Sequence, residues 1–156
     1  MPDTYTVQRS TSIAAPPQAV YSHVADFHRW TAWSPWDDID PQLQRTYSGA
    51  DSGTGAKYAW SGNRKAGEGT MEIIEATEGS SVKIALEFLK PFKSSSTTTF
   101  DLRSNGDSTS VTWTMSGPKT LMTRLMGIFK SMDKMIGPDF EKGLAQLRAA
   151  VEQGSA

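Results

Sequence analysis

Cysteine is absent from the 156-residue sequence, which excludes disulfides, thiolate metal sites and cysteine nucleophiles. Histidine is scarce, since the two residues present are too few for a usual zinc site. Long apolar runs are also lacking, so no segment has the length of a membrane-spanning helix. The first residues have neither the basic start nor the apolar stretch of a signal peptide. We therefore expect a cytoplasmic protein with no metal, no cofactor and no stable membrane insertion.

A strong charge of one sign is lacking as well. The 16 basic and 17 acidic residues give a formal net charge of -1, so no overall field favours nucleic acid or anionic lipid. Hydrophobic residues make up 37% of the chain and charged residues 21%, a balance typical of a folded globular protein. The length fits one domain over residues 1–156, and we expect a monomer or homodimer.

Recognisable catalytic motifs are few. No Gly-x-Ser-x-Gly nucleophile motif occurs, and His23 lies on a helical face beside Val20, which favours packing over base catalysis. His28 is expected to face water, and the acidic stretch Asp37–Asp40 lacks the EF-hand pattern. Residues 62–69 resemble a phosphate loop but have no Lys-Ser/Thr after the second glycine. The residues therefore leave open whether the protein is an enzyme.

Alternating hydrophobicity predicts a sheet through the middle of the chain. Val82, Ile84 and Leu86 share one parity, while Lys83 and Glu87 occupy the other. One face of the sheet is therefore buried and the other is wet. Clusters of glycine, serine, asparagine and aspartate separate the alternating segments and indicate turns. These patterns predict antiparallel strands over residues 4–13, 42–48, 56–61, 67–77, 81–90, 94–103 and 108–116.

Helical periodicity occurs on both sides of these strands. A proline pair ends the first strand and is followed by apolar residues at helical spacing, which predicts short helices over 17–25 and 27–32. Near the end of the chain the apolar period is again about 3.6 residues. It predicts a long helix over 119–152, interrupted near Gly137-Pro138 because proline removes a helical hydrogen bond. We expect an α+β fold in which this helix covers the apolar face of the sheet.

Aromatic and methionine residues supply the candidate ligand contacts. Tyr58 and Trp60 share a parity on one predicted strand, and five of the seven methionines lie between Met115 and Met135. Amphipathic rings suit a pocket where one hydrogen bond orients an apolar guest. Flexible methionine side chains adapt to irregular contents. Taken alone, the methionine-rich stretch indicates ordinary core, and it supports an apolar pocket only in a fold whose helix covers a cavity.

Two further features allow two explanations each. Trp30, Trp33 and Trp36 either stack on a ligand at the mouth of a pocket or belong to the core, and the core is favoured for at least two of them. Gly67 and Gly69 share strand parity with apolar residues. Glycines at inward positions have two explanations. Another backbone or a ligand approaches the strand closely, or the curved sheet bends at this point.

Five segments of the chain carry a resemblance to a known family. They are Ile13-Ala14-Ala15-Pro16, residues 30–36, residues 67–73, residues 108–113 and residues 140–144. The chain resembles the START/Bet v 1-like superfamily, and within it the polyketide cyclase/dehydrase-like branch often called SRPBCC. The resemblance implies a helix-grip fold, in which a seven-stranded curved antiparallel sheet wraps around a long C-terminal helix. Two short helices would lie between strands 1 and 2, and a cavity between the sheet and the long helix.

The resemblance permits three functions. The first is binding of a small hydrophobic ligand, lipid-like or polyketide/aromatic; the alternatives are a cyclase or aromatase enzyme and a protein-docking domain of the Hsp90-activator type. Inward positions offer few titratable groups for acid–base work, so binding is favoured. The candidate ligand-binding residues are Trp33, Tyr58, Trp60, Met71, Leu86, Phe88, Thr98, Phe100, Trp113, Met115, Met122, Met126 and Phe129.

Overall fold

Seven strands form one antiparallel sheet in the order β1-β7-β6-β5-β4-β3-β2. The computed structural model describes residues 4–34, 42–62, 67–90, 94–118 and 132–154. The strands are β1 (Thr4–Ile13), β2 (Gln44–Gly49), β3 (Ala56–Ser61), β4 (Glu68–Thr77), β5 (Ser81–Lys90), β6 (Ser94–Asn105) and β7 (Ser108–Pro118).

Two short helices follow β1, and a long one follows the sheet. Helix α1 spans Pro17–Val24, a 3-10 helix spans Phe27–Ala32, and helix α2 spans Met132–Gly154. The first backbone N–H groups of a helix have no hydrogen-bond partner within the helix. Pro17 has no N–H, so it fits the first position of α1. The Asp26 side chain caps the 3-10 helix by accepting a hydrogen bond from the His28 backbone N–H at 2.9 Å.

Every predicted strand is confirmed, as are both short helices, and each observed end lies within two residues of the prediction. Alternating hydrophobicity predicts these strands correctly because one face of the sheet is buried, so every second residue of a strand is usually apolar. Tight hairpins join the longest strands, and Gly79 and Gly106 adopt left-handed backbone angles in them, with φ of 72° and 68°. The first part of the predicted long helix, including Met122, Met126 and Phe129, lies outside the described residues.

Helix α2 continues through Pro138, so the predicted interruption near Gly137-Pro138 is wrong. Proline removes one hydrogen bond, but packing holds the residues that follow it. Phe140 and Leu144 are buried, and their burial stabilises the helix independently of that bond. The Arg9 guanidinium on β1 lies against Gly137, where a Cβ atom would overlap it. A larger residue at this position would require the flexible end of the Arg9 side chain to move.

The core lies between the inner face of the sheet and the helices. Strand pairing aligns Val82, Phe100 and Trp113 in one row, and all three are buried. The ring of Phe140 from α2 stacks on Trp113 with centroids 4.0 Å apart and planes 6° apart. Thr109, whose side chain is also buried, donates its hydroxyl to the Ala15 carbonyl at 2.7 Å. This end of the inner face is therefore closely packed.

Candidate functional site

Strand pairing places two rows of side chains across the inner face, towards the end of the sheet opposite α1. The α1 end is marked by the Gly53 N–H in the β2–β3 turn, which donates to the Ala25 carbonyl at 2.8 Å. The first row, called the tyrosine row, contains Tyr47, Tyr58, Met71, Leu86 and Ser96. The second, called the tryptophan row, contains Arg45, Trp60, Gly69 and Phe88.

These two rows are only partly covered. The residues Tyr47, Tyr58, Trp60, Met71 and Phe88 pack against the core but stay half-buried. The next row towards α1 is buried throughout; it contains Val7, Ile73, Ile84, Thr98 and Met115. The inner face thus changes from solid core to a partly open apolar surface within one row.

Aromatic rings run continuously across this open surface. His28 stacks on Tyr47, with ring centroids 4.1 Å apart and planes 19° apart. Tyr47 contacts Tyr58 at 5.3 Å, and Tyr58 stacks on Trp60 at 6.1 Å and 21°. Trp60 meets Phe88 edge-on at 5.7 Å and 85°. We call these five residues the aromatic wall; offset and edge-on contacts of this kind hold the rings in fixed orientations.

Gly69 allows the indole of Trp60 to lie flat against the sheet. A Cβ atom at Gly69 would overlap the Trp60 ring and the Glu87 carbonyl of the neighbouring strand. The pairing of β4 with β5 also shifts between Glu68 and Gly69, as at a β-bulge, which bends a strand. The close approach is made by the Glu87 backbone of the neighbouring strand and also by the Trp60 side chain, and the irregular pairing agrees with the predicted bend.

Polar groups lie at the two sides of the aromatic wall. Arg45 is half-buried at the β2 edge, in register with Trp60. On the other side, the hydroxyl-bearing side chains of Ser96 and Thr98 are buried on β6, with relative exposures of 9% and 4%. The surface can thus contact an apolar molecule over its middle and hydrogen-bond it at its sides.

The two histidines have different surroundings. His23 is half-buried, and its Nδ1–H donates to the Ala19 carbonyl at 2.9 Å, which agrees with the predicted packing role. His28 is exposed, as predicted, and its Nδ1 lies 2.9 Å from the Asp26 Oδ1. Among the residues that the structure describes, no three His, Cys, Asp or Glu side chains are grouped as a metal site.

Trp30 and Trp33 belong to the core, which confirms the favoured interpretation for two of the three clustered tryptophans. The Trp33 ring meets Phe100 and Trp113 edge-on at 5.8 and 5.6 Å, and its Nε1–H donates to the His23 carbonyl at 3.2 Å. Trp36 lies outside the described residues.

The candidate residues fall into three groups. Tyr58, Trp60, Met71 and Phe88 lie together on the open surface, and the buried residues Leu86, Thr98 and Met115 border it. Trp33, Phe100 and Trp113 are deep in the core, whereas Met122, Met126 and Phe129 are outside the described residues.

Sequence reasoning omitted Tyr47, His28 and Ser96 from the candidate site. The parity that Ser96 shares with Phe100 was a usable signal for its inward orientation. The stacking of His28 on Tyr47 joins a 3-10 helix to a distant strand, and no local pattern reports such a contact.

A separate groove of about 510 Å³ lies beside β6 and β7, lined by Ser80, Asp101, Leu102, Arg103, Ser110 and Thr112. Its lining is mainly polar, so it differs in chemistry from the aromatic wall. Within the described ranges, no helix combines the length and apolar character needed to cross a membrane.

Solved structures share this architecture over nearly the whole chain. A protein from Thermobifida fusca is 21% identical, with 95% of this chain and 93% of that chain covered and a TM-score of 0.69. The Aha1 dimer from Colwellia psychrerythraea is 16% identical, with coverages of 97% and 98% and a TM-score of 0.64. DynU16, from the dynemicin biosynthetic locus, is 17% identical over 99% of this chain and 49% of its own, with a TM-score of 0.67.

Likeness at these identities shows the fold, which is the helix-grip, Bet v 1-like arrangement that the sequence predicted. No curated protein matches the chain. A family model does match it over residues 4–152. The chain belongs to the family described as polyketide cyclase/dehydrase and lipid transport proteins.

Proposed function

We propose that the protein binds a small hydrophobic ligand, lipid-like or polyketide/aromatic, against the aromatic wall between the sheet and the C-terminal helix. The observation that carries the proposal is the continuous row of rings on an inner face that is otherwise core. Membership of a family described by lipid transport and polyketide chemistry supports it. We place this activity in the cytoplasm, in a monomer or homodimer.

The physical reason for binding is that the open surface exposes apolar side-chain area to water. A ligand lying on half-buried rings removes that area from solvent, which contributes roughly 25 cal/mol per Å². The rings contact one another and have few rotatable bonds, so little side-chain entropy is lost on binding. Met71 sits beside Tyr58 in the tyrosine row and can adapt to the outline of the ligand.

A fluorescence titration with N-phenyl-1-naphthylamine tests the proposal. We expect saturable binding to the wild type and an affinity about tenfold lower in Trp60→Ala, equivalent to about 1.4 kcal/mol. The matched control is Leu89→Ala, which removes a 38% exposed side chain of β5 outside the wall. Thermal unfolding of both variants checks that they are folded.

The expected control affinity is that of the wild type. Absence of saturable dye binding would contradict the proposal. Equal losses in Trp60→Ala and Leu89→Ala would also contradict it, since they would show that the dye does not distinguish the wall from the rest of the surface.

A cyclase-type reaction is the second candidate, favoured by the Asp26–His28 pair. If the His28 Nδ1–H donates to Asp26, then Nε2 is a proton acceptor, and the ring is already stacked on Tyr47 at one end of the wall. Cyclisation with loss of water needs a base of this kind beside the bound molecule. Mass spectra of the copurifying ligand, before and after incubation, distinguish the candidates: loss of water supports turnover, and an unchanged mass supports binding alone.

A further inference from the structure

Ser96 has an environment that the fold alone does not explain. Its side chain is 9% exposed, and among the described residues its Oγ has no hydrogen-bond partner. Buried hydroxyls in proteins are nearly always paired, because an unpaired one has lost its water without replacement. An orphaned hydroxyl inside a protein is therefore a sign of a partner from outside the chain.

The position of Ser96 is the border of the aromatic wall. It lies in the tyrosine row, paired with Leu86 of β5, and that strand also carries Phe88 of the wall. Along the inner parity of β6 the side chains change from Leu102 and Phe100 to Thr98 and then Ser96. Polar side chains therefore appear on the inner face of β6 where the closely packed core ends.

We propose that Ser96 is the hydrogen-bonding anchor of the ligand surface. Its hydroxyl both donates and accepts, so it selects a ligand that carries a hydroxyl or carbonyl oxygen over the bare hydrocarbon of the same shape. This inference rests on the proposed binding function. Neighbouring strands are about 4.8 Å apart, so the ligand oxygen lies within roughly 5–10 Å of the rings on the aromatic wall.

The anchor also fixes orientation. Stacking on rings leaves a flat ligand free to slide and turn in its plane, whereas one hydrogen bond at the edge of the surface removes that freedom. A site that hydrogen-bonds a ligand oxygen discriminates strongly against the analogue lacking it. Ser96 is therefore assigned as a specificity-determining residue and not as a further source of apolar contact.

Displacement of N-phenyl-1-naphthylamine by naphthalene and by 2-naphthol tests the anchor. The two probes have the same ring system and differ by one hydroxyl. We expect Ser96→Ala to weaken 2-naphthol roughly three- to tenfold, the size of one neutral hydrogen bond, and to leave naphthalene unchanged. The matched control is Ser95→Ala, which removes the exposed hydroxyl next to it on the outer face.

Two additional readouts separate an anchor from a structural hydroxyl. Ser96→Thr keeps a hydroxyl and should restore the wild-type ratio of 2-naphthol to naphthalene affinity. The unliganded Ser96→Ala protein should unfold at the wild-type temperature or above it, because no internal hydrogen bond is lost. A lower unfolding temperature would show that the hydroxyl has a partner in the fold and would overturn the inference.

The results also separate this inference from the function on which it rests. If both probes displace the dye from the wild type but Ser96→Ala changes their affinities equally or not at all, the anchor is wrong and the binding function stands. If neither probe displaces the dye and the dye itself does not bind, both proposals are overturned.

Discussion

Trp60 and Trp113 lie on the same face of one sheet but in different surroundings. Trp113 is 1% exposed, with Phe100 stacked on it at 4.9 Å and Phe140 at 4.0 Å. Trp60 is half-buried and contacts two rings of the aromatic wall, Tyr58 and Phe88. We therefore expect Trp113 to act in stability and Trp60 in binding.

Replacing Trp113 by alanine tests the first half of that statement. We expect Trp113→Ala to cost about 3–5 kcal/mol of unfolding free energy, the usual cost of removing a large aromatic side chain from a closed core. Urea unfolding measures it. A cost below about 1 kcal/mol would show that the ring lines a cavity, because the surroundings would then lose few contacts.

Individual inward residues were predictable where strand parity determines their orientation. Tyr58, Trp60 and Phe88 were placed on the inner face for this reason, and the structure brings them together. The degree of burial was not predictable in the same way. Phe100 and Phe88 have the same inward parity, yet one is core and the other is half-buried, because burial depends on what covers each position.

At the scale of elements, polar contacts join helix α2 to strand β1 at two places, near the middle of the helix and near its C-terminal end. The Arg9 Nε lies 2.8 Å from the Glu141 Oε2. Further along the helix, Glu152 accepts a hydrogen bond from the Ala14 N–H at 2.9 Å, just beyond the end of β1, and another from Arg148 at 3.1 Å. These contacts set the position of α2 along the edge strand.

The Glu152 contact predicts a pH dependence. The hydrogen bond from the Ala14 N–H, and secondarily the contact with Arg148, lower the pKa of Glu152 below its ordinary value. A lowered carboxyl pKa means that the folded state favours the charged form, so stability is present above the ordinary pKa and is lost as pH falls through the lowered one.

Acid unfolding of Glu152→Gln checks this contribution. Because glutamine does not titrate, we expect the unfolding free energy of the variant to fall less steeply than that of the wild type as pH decreases below about 5. Denaturant unfolding at a series of pH values measures both slopes. Parallel curves for the two proteins would contradict the role assigned to the Ala14 contact.

Within the described residues, the sequence predicted the elements well except at one proline. Strand bounds follow from alternation and turn residues, which are local signals. The effect of Pro138 depends on tertiary packing, since burial of Phe140 and Leu144 holds α2 together where its own hydrogen bonds do not. The sequence shows that proline cannot donate this hydrogen bond. It does not show the tertiary packing that compensates for the loss.

At the scale of the whole molecule, one sheet provides both a closed core and the partly open surface on which we propose that the ligand binds. Helix α1, the 3-10 helix and α2 cover the rows that contain Phe100 and Trp113. The tyrosine row and the tryptophan row, which lie farther from α1, keep partly exposed rings. The family and fold were predictable because they depend on the order of elements, whereas the boundary between core and surface depends on how far the helices reach over the sheet.

Fluorine NMR of the protein labelled with 5-fluorotryptophan tests the central claim most directly. The signals of Trp60 and Trp113 are assigned with Trp60→Phe and Trp113→Phe, and the wild type is titrated with N-phenyl-1-naphthylamine. We predict a saturable shift of the Trp60 signal and a Trp113 signal that stays in place, because the ligand lies on the aromatic wall and outside the closed core. A saturable shift at Trp113 with Trp60 unchanged, or no shift at either residue, would contradict this account.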